Sequence, residues 1–150
     1  MKERGHDAAL LLVRIALGIV FIAHGGQKLF GWFGGKGLQG FTPMIVKMGL
    51  PPVVATLIAI GEFLGGLGLL FGLLTRVAAL GPLASMAGAV ALIHAKNGFF
   101  LPSGMEYALT MLLLSMAVLF GGPGRYSLDA ALSRERSRER EVPVSRPVTA

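Results

Sequence analysis

The sequence predicts an all-α fold: a transmembrane four-helix bundle with a short amphipathic outer-loop helix and a polar C-terminal tail. Three observations carry this. Hydrophobic residues make up 53% of the 150 residues and charged residues only 15%, below the charge content of a soluble domain. Four apolar segments reach or approach the roughly 20 residues needed to cross about 30 Å of hydrocarbon. The stretches between them are rich in Gly and Pro. The mean hydropathy of +0.68 includes a polar stretch from Arg125 onward, so the body before it is more apolar still.

The first span runs over about 8–30. It is too long for the apolar core of a cleavable signal and no small-residue cleavage site ends it, so it reads as a retained helix. The second and third spans cover about 51–74 and 77–95. The fourth, about 105–120, is short and starts just inside one interface. In the first long loop, Trp32 and Phe33 suit the headgroup region, and 38–48 has the pattern of a short amphipathic helix lying on the outer surface and capping the bundle. The expected organisation is therefore a membrane domain over 1–132 and a disordered or partly helical tail over 133–150. In that tail Arg alternates with Glu and Ser before Pro143 and Pro147.

The formal net charge is +6, but six of the fourteen Lys and Arg fall between Arg125 and Arg146 instead of forming a folded basic face, so no nucleic-acid partner is expected. The expected partner is the lipid bilayer. Lys2, Arg4, Arg76, Arg125 and five further tail arginines lie on one side, against Lys28, Lys36, Lys47 and Lys96 on the other. The positive-inside rule then places both termini in the cytoplasm. With no cysteine there is no disulfide, thiolate metal site or CxxC redox chemistry. The seven methionines are scattered and read as lipid-facing or core filler. Gly61, Gly65, Gly68 and Gly72 in the second span, with Gly81, Ala84, Ser85 and Gly88 in the third, read as small-residue packing faces.

Ionisable groups inside a bilayer are costly unless paired or hydrated, which makes them the informative residues. At 100° per residue, Gly18, Phe21, His24, Gly25 and Lys28 all fall within about 80° of Arg14 on the first helix. Glu62 lies about 16 Å from the outer end of the second span and Arg14 about 9 Å from the inner end of the first, at 1.5 Å per residue. With the span ends flush, the two depths differ by only about 5 Å, so an Arg14–Glu62 ion pair is expected in the interior. Nearer the outer surface, His24, Lys28, His94, Glu106 and Tyr107 gather from three helices into a polar mouth leading toward Glu62. A ligand head group is expected there, in contact with Arg14, His24, Lys28, Glu62, His94, Glu106 and Tyr107. The ligand that fits best is a quinone, its carbonyls meeting His or Lys donors and its tail in lipid. Haem between two histidines, or a divalent metal on His24, His94 and Glu106, are lesser alternatives, and no metal site is assigned.

The order of these features resembles the DoxX family. Arg14 in the first helix is followed by HGGQKLFG from His24 and LQGF before Gly49. GEFLGGLGLLFGLLTRVAA runs from Gly61, His94 precedes NGFF, and GGPGRYSLDAAL runs from Gly121. The similarity spans nearly all of 8–132, and the tail beyond has no counterpart in it. The resemblance implies a four-helix bundle in a bacterial-type cell membrane, in a functionally mixed group. Some members are linked to quinone-coupled thiosulfate oxidation, others to oxidative-stress proteins or to quinone and catechol detoxification. It also marks Arg14, His24, Lys28, Glu62 and His94 as characteristic positions. Two functions follow as expectations. One is a quinone- or quinol-interacting membrane subunit of an oxidoreductase or oxidative-stress system, with electrons from a redox partner protein. In it His24 and His94 exchange protons, Lys28 stabilises developing negative charge, and Glu62, paired to Arg14, relays a proton or fixes the site. The other is a non-enzymatic scaffold or small-solute transporter.

Overall fold

The fold was analysed in a computed structural model, which describes residues 2–141, with side chains over 4–138. Six helices follow one another: α1 (Lys2–Phe30), α2 (Gly37–Lys47), α3 (Pro52–Phe71), α4 (Thr75–Gly88), α5 (Glu106–Gly121) and α6 (Leu128–Glu141). α1 packs chiefly on α3, α3 on α4, α4 on α5, and α5 returns to α1, which closes an antiparallel four-helix bundle. α1, α3 and the segment Thr75–Asn97 are each long and apolar enough to cross a membrane, and α5 is a shorter apolar helix of 16 residues. Leu12, Ile19, Leu57, Leu64, Val77 and Leu113 all point outward, which suits a body solvated by lipid. The fold is the membrane four-helix bundle that the sequence predicts. The part of the expected tail beyond Glu141, with Pro143, Arg146 and Pro147, lies outside the described residues.

The bundle is built on close backbone contact. A Cβ placed on Gly25 of α1 would stand 2.5 Å from the Phe63 backbone nitrogen, and one on Gly66 of α3 would stand 2.7 Å from that of Ile22. No side chain fits between these helices, and the contact fixes their register. The other face of α3 does the same toward α4, where Gly61 meets Gly81 and Gly65 meets Pro82. Of the expected small-residue faces, Gly61, Gly65, Gly68 and Gly81 are used for packing, whereas Ala84, Ser85 and Gly88 line a cavity and a Cβ on Gly88 would meet nothing within 4 Å. α3 ends at Gly72, whose φ of 65° closes the helix, with Leu73 N–H donating to Gly68 O at 2.9 Å.

α2 is the amphipathic helix expected in the first long loop, and it lies against α1 and α3 at the end of the bundle away from the termini. At the opposite end, α6 is tied to the α3–α4 turn. Ser127 caps α6 through its Oγ, 3.1 Å from Ala130 N. Asp129 in turn accepts hydrogen bonds from Leu74 N (2.8 Å), Thr75 N (2.9 Å) and Thr75 Oγ1 (2.8 Å), so it caps α4 from outside that helix. Burial alone would raise the Asp129 carboxyl, but the Thr75 and Leu74 hydrogen bonds and the nearby Arg14 charge outweigh it and hold the group below the usual carboxylate range.

Two outcomes follow. Gly25→Val should destabilise the protein by more than about 2 kcal/mol, while Gly5→Ala, with open space around it, should change little; denaturant unfolding in detergent measures both. Because the folded pKa of Asp129 is depressed, its contribution is full above the unfolded value of about 3.9 and is lost as pH falls through the folded value. Asp129→Asn should therefore cost about 1 kcal/mol at pH 7 and flatten the fall in melting temperature below about pH 4.

Candidate functional site

The register set by Gly25 and Gly66 places Lys28 about two residues from the level of Glu62 and Arg14 about twelve residues from it, roughly 18 Å away along the axis. The expected Arg14–Glu62 pair does not form. Glu62 pairs with Lys28, whose Nζ donates to both carboxylate oxygens, and Ser85 Oγ of α4 donates to Oε1 of the same carboxylate. The expectation failed because it set the ends of the first two spans flush. α1 stops about six residues short of the outer end of α3.

Arg14, 1% exposed, binds backbone carbonyls instead. Its Nη1 donates to Pro123 O and its Nη2 to Tyr126 O at 2.7 Å, in the turn after α5. These carbonyls belong to residues outside any helix and so have no intrahelical partner. Arg14 also closes over Gly72, where a Cβ would stand 2.6 Å from Nη1. Leu17 and Phe21 of α1, Leu69 of α3, Ala79 of α4 and Val118 of α5 form a buried apolar cluster. Leu17 and Phe21 on α1 and Leu69 on α3 fall between the Arg14 level and the Glu62 level, so a largely apolar plug separates the two polar layers, and the buried Ser115 hydroxyl of α5 is turned to Met111 O at 2.8 Å.

Glu62, fully buried, lines a cavity of about 600 Å³, a size typical of small-molecule sites. Every bundle helix and α2 line it. From α2 come Phe41, Met44, Ile45 and Met48, a helical i, i+3, i+4, i+7 face. The α2 face expected to lie on the outer surface is turned onto the cavity. Phe41 also lies over Lys28, with the ammonium 5.2 Å from the ring centroid. Four of the methionines read as filler, Met44, Met48, Met86 and Met111, are walls of this cavity.

Of the expected contact residues, His24, Lys28, Glu62, His94 and Tyr107 line the cavity and Arg14 and Glu106 do not. His24 and Tyr107 stand side by side in the lining, ring centroids 6.5 Å apart. After α4 the chain widens into a π turn over Ala89–His94, which presents Leu92, Ile93 and His94 to the cavity; such turns are frequent at functional sites. His94 Nδ1 donates to Ser103 O at 2.9 Å, so a neutral ring keeps Nε2 as its acceptor. Glu106 is withdrawn because Leu101 N–H donates to its Oε1 at 2.7 Å, which ties it to the loop before α5. Among the described residues no three His, Asp or Glu side chains stand together as a metal site requires.

Ser85 and Phe41 are the functional residues that sequence reasoning missed. Ser85 had one signal, being the only hydroxyl in the third span, 77–95.

The family model of DoxX matches residues 9–95. The chain belongs to the DoxX family. Three relatives of this DoxX protein align over most of both chains. A Mycobacterium tuberculosis protein named as an uncharacterised membrane protein is 34% identical over 142 residues, covering 84% of this chain and 82% of the relative. The Escherichia coli inner membrane protein YqjF is 31% identical over 134 residues, covering 86% and 95%. A Bacillus subtilis protein named "Putative oxidoreductase CatD" is 28% identical over 127 residues, covering 85% and 89%. No solved structure matches the chain with significance.

Lys28→Met leaves the Glu62 carboxylate buried without its cation and should cost about 3 kcal/mol, whereas Lys28→Met with Glu62→Leu should be more stable than Lys28→Met alone. Chemical unfolding of the three proteins in detergent reads this, and a double variant no more stable than Lys28→Met would show that the pair does not form.

Proposed function

We propose that this DoxX-family membrane protein binds a quinone or quinol in the α1–α5 cavity and serves as the membrane subunit of an oxidoreductase or oxidative-stress system. The observation that carries the reading is the cavity itself: apolar walls that hold a buried carboxylate paired with an ammonium and a hydroxyl, with two imidazoles and a phenol in the same lining. Its residues fit such a ligand. The Lys28 ammonium, the Tyr107 hydroxyl and the imidazole of His24 are donors suited to carbonyl oxygens. Met44, Leu92 and Leu101 are exposed apolar residues of the lining, which suits entry of an apolar tail from lipid.

A bound quinone would supply a two-electron, two-proton couple. The chain's own residues would orient its oxygens and handle protons. His24 and His94 Nε2 can each take or give one at the cavity wall. Glu62, held by Lys28 and Ser85, fixes the ammonium that binds an oxygen. The apolar plug beside Glu62 supports a binding site over a solute pathway: among the described residues the buried hydroxyl at its level, Ser115 of α5, is used up on Met111 O of its own helix. Electrons would come from a partner, which the termini side, cytoplasmic by the charge count, would meet first. The name of the Bacillus subtilis relative points the same way.

Gently extracted protein should carry quinone in the mass spectrum of its co-purified lipids. A short-chain quinone at a hundred times its Kd should add about 2.7 kcal/mol of stability, read as a rise in melting temperature that His24→Ala with Tyr107→Phe removes. The proposal fails if no quinone co-purifies and quinone analogues leave the melting temperature unchanged.

A further inference from the structure

We infer that the cavity selects for uncharged amphiphiles and rejects anionic ones of the same size, although the protein as a whole is strongly basic. The chain carries a formal net charge of +6, and a lysine at the base of an apolar cavity would by itself make an anion site. The geometry removes that charge. Lys28 Nζ donates to both oxygens of Glu62, and Ser85 takes a further lone pair on Oε1. The pair is salt-bridged and its carboxylate is fully buried, so ammonium and carboxylate cancel at the point where a ligand's polar end would arrive. Among the described residues no other lysine or arginine lines the cavity. The nearest buried guanidinium, Arg14, is behind the apolar plug and turned to Pro123 and Tyr126.

An anion entering this cavity would lose its hydration and find no uncompensated positive charge, a cost of several kcal/mol that a neutral hydroxyl or carbonyl does not meet. A neutral polar end has partners: the remaining ammonium N–H, the Tyr107 hydroxyl and the imidazole of His24. The Phe41 ring over the ammonium satisfies one further face of the cation without adding charge. Glu62 thereby acts as the residue that sets ligand charge. The inference rests on the same cavity as the quinone proposal but not on the ligand being a quinone. If the ligand is a quinone, it requires that the bound forms be the neutral quinone and the fully protonated quinol.

The test uses photoactivatable diazirine-bearing decanol and decanoate with the full-length protein in lipid nanodiscs. Work at pH 8 keeps the decanoate probe ionised in water. Labelling of cavity peptides is mapped by mass spectrometry and normalised to the membrane concentration of each probe. Wild type should be labelled by the alcohol at least about tenfold more than by the carboxylate, and Glu62→Gln, which leaves Lys28 unpaired, should reverse the order. Ser85→Ala, which keeps the ion pair, should retain the preference for the alcohol. Equal labelling of the wild-type cavity by both probes, or more by decanoate, overturns the inference even if Glu62→Gln does not fold. The two readings separate cleanly. A protein that binds short-chain quinone yet takes both probes equally keeps the quinone proposal and loses this one, and the converse pattern does the reverse.

Discussion

The contact between α1 and α3, where Gly25 lies on the Phe63 backbone and Gly66 on that of Ile22, governs the rest of the molecule. Lipid tails are as apolar as leucine, so helices in a bilayer gain little from burying hydrocarbon against one another and rely on close packing and internal hydrogen bonds. A backbone-to-backbone seam tolerates little sliding, because each bulky neighbour along α1 and α3 would collide. Register follows, and with it the partner of every polar group on the two helices. Moved by two turns toward flush helix ends, Glu62 would approach the level of Arg14 and Lys28 would have no carboxylate.

That register sorts the buried polar groups into two layers with different characters. The layer near the termini is closed. Arg14 is wrapped by carbonyls of the turn after α5, and Asp129 caps α4 while its own N–H bonds to Gly72 O at 2.9 Å. It holds the α3–α4 turn, the end of α5 and the start of α6 together. The other layer is open. Lys28, Glu62 and Ser85 satisfy one another but border a cavity whose remaining walls are methionines, aliphatic side chains and rings. Ionisable groups that pair with one another and face a cavity inside a membrane bundle are where a functional site is sought first.

The sequence carried the four helices, the amphipathic α2 and the identity of most buried polar residues, because hydropathy and helical periodicity are properties of single segments. His24, Lys28, Glu62, His94 and Tyr107 were legible as cavity residues for that reason: each is a polar group where an apolar helix has no other use for one. Asp129 and Ser85 were harder. Asp129 sits in a polar stretch where a carboxylate draws no notice, and its role appears only once α6 lies across the α3–α4 turn. Phe41, Met44 and Met48 had the correct spacing, but spacing alone does not say whether an apolar face meets lipid, core or a cavity.

The sequence by itself therefore determined that this is a helical membrane bundle of the DoxX family with a few charged groups that must find partners inside it. Only the tertiary structure decided which partners. Whether Glu62 meets Arg14 or Lys28 depends on an axial offset of several residues between helices some forty residues apart in the chain. That offset is fixed by steric contact between their glycines, and the composition and periodicity of neither helix contain it.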